Sequence, residues 1–191
     1  MRQFLSILCI LTFSLSSCGQ SLKEFSFPDI GLHIKMPDNY IIQENFPKPT
    51  FLDEKGKQIT DTAKLKVLEA DLMKGLLVAS SNDGNNTASF NLAIQTTKTG
   101  DFDQYYNFSK NMQQVMAKQL MTEYDTSSSV LTVDNIKVHK FITYSVKTNS
   151  AKYSGIYIAK VKEYFLIIKA DYADKQFGDE IEKAILNSKF D

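Results

Sequence analysis

The chain has 191 residues, 22 basic and 22 acidic side chains, 43% hydrophobic residues, no Trp and two Cys. One domain accounts for that length; the ordinary globular composition excludes collagen-like, disordered and polytopic membrane classes, and zero formal charge lacks the basic excess that nucleic-acid binding needs. Both cysteines, Cys9 and Cys18, fall in the first eighteen residues, which excludes a disulfide framework spread through the fold and a zinc site of closely spaced Cys and His.

Residues 1–18 read as a secretory signal: one cation at Arg2, an apolar run from Phe4 to Leu15, then small residues. The run falls well short of the roughly twenty apolar residues that a helix needs to cross a bilayer. Its ending, Leu15-Ser16-Ser17-Cys18, resembles the lipobox of bacterial lipoproteins. That resemblance implies cleavage between Ser17 and Cys18, a diacylglyceryl group on the Cys18 thiol, and anchoring to the membrane by lipid alone. Cys9 is apolar filler in the discarded run. Gly19 stands where an Asp would retain such a protein in the inner membrane, so the expectation is an outer-membrane anchor facing the periplasm. The expected organisation is a signal peptide over 1–17, a lipidated tether over 18–23 and one domain over 24–191.

In the mature chain, two strand-like stretches flank Pro28-Asp29, the second alternating Ile30, Leu32, Ile34 and Met36 with Gly31, His33 and Lys35. Residues 45–56, with Pro47, Pro49 and Gly56, read as an irregular loop. Leu65, Leu68 and Leu72 mark one face of a short helix with Asp61 as N-cap and Gly75 as its stop. Strands at 76–80 and 88–96 meet across Asn82–Asn86, a hairpin whose second strand points Phe90, Leu92 and Ile94 inward. The longest helix starts after Gly100 near Asp101 or Asp103 and is predicted to lay Tyr105, Phe108, Met112, Val115, Met116 and Leu120 against the sheet. A Ser-rich turn at Ser127–Ser129 precedes strands at 136–147, 152–161 and 164–170, and a helix over about 174–187 closes the chain. The order β-β-α-β-β-α-β-β-β-α predicts an α+β domain, helices packed on an antiparallel sheet.

Several local patterns resemble the PsbP superfamily, which includes extrinsic photosystem II proteins and bacterial DcrB-like lipoproteins. They are Phe25-Ser26-Phe27-Pro28-Asp29 leading to Met36-Pro37-Asp38-Asn39-Tyr40, then Leu131-Thr132-Val133-Asp134-Asn135 before a long strand, and the ending Tyr164 to Phe190. The chain departs from the usual pattern at Asn39-Tyr40, where Gly-Trp is common, and at Asn135, where Gly is common. The resemblance implies a PsbP-like α/β/α sandwich used mostly for docking to other proteins, and it implies no enzyme or cofactor.

The residues themselves offer little chemistry. His33 and His139 sit at strand positions read as polar-facing, with no partner in sequence that would make either a catalytic group or a metal ligand. No serine sits in a G-x-S-x-G elbow, and Asp101 and Asp103 are what a helix N-terminus favours. The most suggestive cluster is aromatic: Tyr144, Tyr153, Tyr157, Tyr164 and Tyr172, interleaved with Lys152, Lys160 and Lys169. It suits a surface for a partner or ligand, or a layer of rings between sheet and helices. The expected function is a non-enzymatic, lipid-anchored envelope domain that binds a protein partner through its sheet or loop 45–60; the alternative is a small-ligand carrier with its pocket between the Tyr-rich strands and a helix.

Overall fold

The computed structural model describes residues 21–44, 46, 50–62, 64–65, 73–82, 87–97, 101–121, 123–146 and 152–191. The expected signal segment with Ser17 and Cys18, Leu68 and Leu72 of the expected short helix, and residues 83–86 of the expected hairpin tip lie outside these residues. Asp61 does start a helical turn: its carbonyl accepts from Leu65 N–H at 2.9 Å and its carboxylate from Lys64 N–H at 3.0 Å.

A small sheet has the order β1 (Leu22–Phe27), β2 (Leu32–Pro37), β10 (Lys189–Phe190). A seven-stranded sheet has the order β3 (Ile41–Gln43), β4 (Lys74–Asn82), β5 (Thr87–Thr96), β9 (Tyr164–Tyr172), β8 (Tyr153–Val161), β7 (Ile136–Ser145), β6 (Tyr124–Val133). Every pairing is antiparallel. Helix α1 (Phe102–Leu120) lies on one face of the large sheet. Helix α2 (Lys175–Leu186) and the small sheet cover the other, so the α+β class and sandwich layering expected from the sequence are what the chain adopts.

The main core follows from alternation. Phe90, Leu92 and Ile94 of β5, Leu166 and Ile168 of β9, and Val138 of β7 point to the α2 side, where Leu32 and Ile34 of β2 and Ile181 and Ile185 of α2 meet them. Each such burial contributes about 1.5–3 kcal/mol. Helix ends are set by local side chains: Asp101 accepts from Asp103 N–H and Gln104 N–H at 2.8 and 3.2 Å, and Asp174 accepts from Gln176 N–H at 2.8 Å.

Four expectations need correction. Ser127–Ser129 is no turn but the middle of β6, because Ser128 pairs with Phe141 in an unbroken register with β7. The turn is Asp134-Asn135, at φ 47° and 68°, a conformation Asn adopts at modest cost. Gly75 lies inside β4 beside a bulge, not at a helix stop. The first strand begins at Leu22, whose pairing with Pro37 places Leu22 and Lys23 in the sheet and not in a tether. The fourth concerns α1, whose inward face is not the apolar stripe.

Candidate functional site

Helix α1 is pinned at its N-terminal half by rings. Tyr105 stacks on Phe165 with centroids 4.9 Å apart, and Phe102 meets His139 and Phe165 edge-on at 4.9 and 5.9 Å. Tyr106 meets His139 at 5.2 Å and donates its hydroxyl to Lys140 O at 3.4 Å. The face that continues this contact down the helix carries Gln113 and Ala117, both buried. Phe108, Met112, Val115, Met116 and Leu120 are instead 40–69% exposed. The stripe with the strongest apolar periodicity faces away because the aromatic triplet at the N-terminus sets the helix's rotation.

Large rings at one end and Ala117 at the other leave a gap. Beneath the C-terminal half of α1, the pairing of strands aligns Thr143, Ser154, Asp171, Ser89 and Ser80 in one row across β7, β8, β9, β5 and β4. Between this hydroxyl-rich floor and the helix lies a groove of about 690 Å³, with Met116, Ala117, Leu120 and Met121 on the helix side. Asp171 accepts a hydrogen bond from the Ser154 hydroxyl and lies 3.2 Å from Lys169 Nζ. Thr143, fully buried, donates to Ser154 O at 3.3 Å. Lys152 and Ile41 stand at the mouth, and Ile41 is 72% exposed. The groove has one polar wall and one apolar wall, and the outer stripe of α1 extends the apolar wall into solvent.

The tyrosines do not form one surface. Tyr144, Tyr153 and Tyr172 stack across three neighbouring strands, with centroids 6.0 and 5.1 Å apart, and the Tyr144 hydroxyl donates to Asp125 at 3.2 Å. Tyr153 and Tyr172 also border the groove. Tyr157 is fully buried under α2, its hydroxyl without a hydrogen-bond partner among the described residues, so it belongs to the core and not to a surface. Tyr164 sits at the opposite end of β9, eight residues from Tyr172 and so about 26 Å away along the strand. Burial pushes Tyr172 up to about 12, helped by Glu182, Tyr153 and Asp179. The Asp125 carboxylate, through its hydrogen bond and its charge, raises Tyr144.

The histidines lie on different sheets. His33 bonds to Ser26 Oγ at 2.9 Å and to the Asp191 carboxylate at 2.7 Å, while His139 is half-buried beneath α1, not on a solvated face. Among the described residues no group of three or more His, Cys, Asp or Glu is placed to hold a metal ion, and no helix is long and apolar enough to cross a membrane. Loop 50–60 is a tight turn: Asp53 accepts from Lys55 N–H and Lys57 N–H, both at 2.9 Å, and Phe51 O accepts from Ile59 N–H at 2.9 Å. Sequence reasoning missed Ser80, Ser89, Gln113, Ser154 and Asp171. The available signal was the switch along β9 from Phe165 and Ile167 to Lys169 and Asp171 on one face.

These features define an α+β sandwich with helices on both faces of a large antiparallel sheet and an open groove under one of them. The fold is PsbP-like. The cyanobacterial PsbP of Synechocystis sp. PCC 6803 is similar with a TM-score of 0.52 and 12% identity, over 93% of this chain and 99% of that one. LpqN, involved in cell envelope biogenesis of Mycobacterium tuberculosis, aligns with a TM-score of 0.49 and 9% identity over 88% of this chain and 90% of its own. The Ran-binding protein Mog1p of Saccharomyces cerevisiae aligns at 0.40 and 10%, over 88% and 86%. No family model matches the chain, and no curated protein matches its sequence.

Proposed function

We propose that this chain is a lipid-anchored protein of the cell envelope that works by binding, not by catalysis, and that its protein partner docks on the outward face of α1 and the adjoining groove. The observation that carries the reading is the exposure of Phe108, Met112, Val115, Met116 and Leu120 on one helix. A contiguous exposed apolar patch marks an interaction site, and methionines adapt to a partner's shape. The anchor rests on Leu15-Ser16-Ser17-Cys18, with Gly19 favouring the outer membrane and a periplasm-facing domain.

Two substitutions test the two halves separately. Cys18→Ala is expected to move the protein from the membrane to the soluble fraction; unchanged partitioning contradicts the anchor. Met112→Glu with Met116→Glu is expected to abolish co-purification of the envelope partner while leaving the membrane fraction unchanged; retained co-purification contradicts the docking face. A second reading is a small ligand in the groove, favoured by its polar floor and apolar roof, and it requires a compound that raises Tm in the wild type but not in Ala117→Leu, which fills the space.

A further inference from the structure

Sheet edges carry unpaired backbone N–H and C=O groups, and natural chains blunt them by shortness, charge, Pro or bulges. Among the described residues three of the four edges are blunted: β3 has three residues, β10 has two, and β1 has six with Lys23 and Glu24 among them. Edge strand β6 is different. It runs ten residues without a bulge, and from Thr126 to Thr132 it reads TSSSVLT, with no charge, Pro or Gly. Asp125, Ser127, Ser128, Ser129 and Val130 are all exposed.

The direction of its outer groups follows from the turn. Val133 and Ile136 flank the two-residue Asp134-Asn135 turn, so they form a hydrogen-bonded pair, and pairs alternate from there. The N–H and C=O groups of Thr126, Ser128, Val130 and Thr132 therefore point away from β7. Asp125 accepts from Thr126 N–H at 2.7 Å, which occupies only the end of this row.

We infer that β6 pairs antiparallel with β6 of a second copy, joining two seven-stranded sheets across a two-fold axis at Ser129. The occupant is a second copy because the strand complements itself. Centred on Ser129, the pairing sets Ser128 against Val130 and Thr126 against Thr132, so outward donors meet outward acceptors. Asp125, the strand's one charge, falls opposite Val133 and not opposite its own image, where like charges would repel. A charged foreign strand finds no complementary charge between Thr126 and Thr132. Such an isologous interface closes on itself, and it uses no residue of the exposed α1 stripe, so it stands or falls independently of the docking face.

Ser129 lies on the axis as a non-hydrogen-bonded pair, with Cα atoms about 4.5 Å apart, a separation that a disulfide spans. The test introduces Ser129→Cys into the full chain carrying Cys9→Ser and Cys18→Ser, so that the new thiol is the sole one, with Glu163→Cys on an exposed turn as the control. Mild oxidation is expected to give a covalent dimer from Ser129→Cys and little from the control. Sedimentation of the protein without the added thiol is expected to give a dimer that Ser128→Lys converts to a folded monomer, its circular dichroism unchanged. Equal crosslinking at both positions, a wild-type monomer, a dimer indifferent to Ser128→Lys, or crosslinking of Ser129→Cys to a different protein overturns the inference.

Discussion

A Cβ on Gly178 would lie 2.5 Å from Cε2 and 2.6 Å from Cζ of Tyr172, because α2 crosses the sheet directly over that ring. Gly178→Ala gains about 1 kcal/mol of helix propensity but overpacks the core at a cost of about 1–3 kcal/mol. A net fall in Tm of a few degrees is expected in thermal unfolding, and an unchanged or higher Tm would show that ring and helix separate freely. The tyrosines also make stability depend on high pH. Burial raises Tyr40 to about 12, with Glu180 adding to it, and raises Tyr172 to about 12. The unfolded chain ionises from about pH 10, so the unfolded state releases protons first. The stabilisation is complete below pH 10 and is lost as the pH rises to about 12. Urea midpoints measured from pH 8 to 12 are expected to fall less steeply in Tyr40→Phe with Tyr172→Phe than in the wild type; parallel curves contradict this.

At the scale of elements, α1 shows what a sequence reveals and what it hides. Its start is a local matter, since Asp101 caps Asp103 N–H and Gln104 N–H within one turn, and the ends of α2, capped by Asp174 and Asn187, are local in the same sense. The inward face is not local. Apolar periodicity picks Tyr105 together with Phe108, Met112 and Leu120, and only Tyr105 packs inward: with Phe102 and Tyr106 it meets Phe165, His139 and Phe141 on distant strands and turns the helix toward Gln113 and Ala117. Ser127–Ser129 was hidden in the same way, because serines read as turn residues until β7 supplies a partner for each. The two faces of α1 should separate under mutation. Met112→Ser with Met116→Ser, at exposed positions, is expected to shift stability by less than about 0.5 kcal/mol each. Phe165→Ala, at a ring 1% exposed beneath Tyr105, is expected to cost about 3–5 kcal/mol. Comparable losses in chemical denaturation would mean that the stripe is packed.

Across the whole molecule, the layers are tied by the last two residues. Phe190 N–H donates to Asp134 in the β6–β7 turn at 2.8 Å, and Asp191 N–H donates to Gly31 O at 2.9 Å, so the chain end fastens the small sheet to the large one. Strands of two or three residues such as β10 and β3 carry no period, which is why alternation could not reveal them. The groove was illegible for a related reason: its floor takes one residue from each of five strands and exists only once their registers are set. The layered architecture itself was readable, because β2, β5 and α2 each carry an unbroken apolar period. The proposed docking face is the outward side of α1. Its most direct test places a photo-crosslinking residue at Met112, and separately at Glu180 on α2, in cells making the full chain. A discrete adduct with one envelope protein is expected from position 112, absent from position 180 and abolished by Met116→Glu. The same adducts from both positions, or none from position 112, would contradict it.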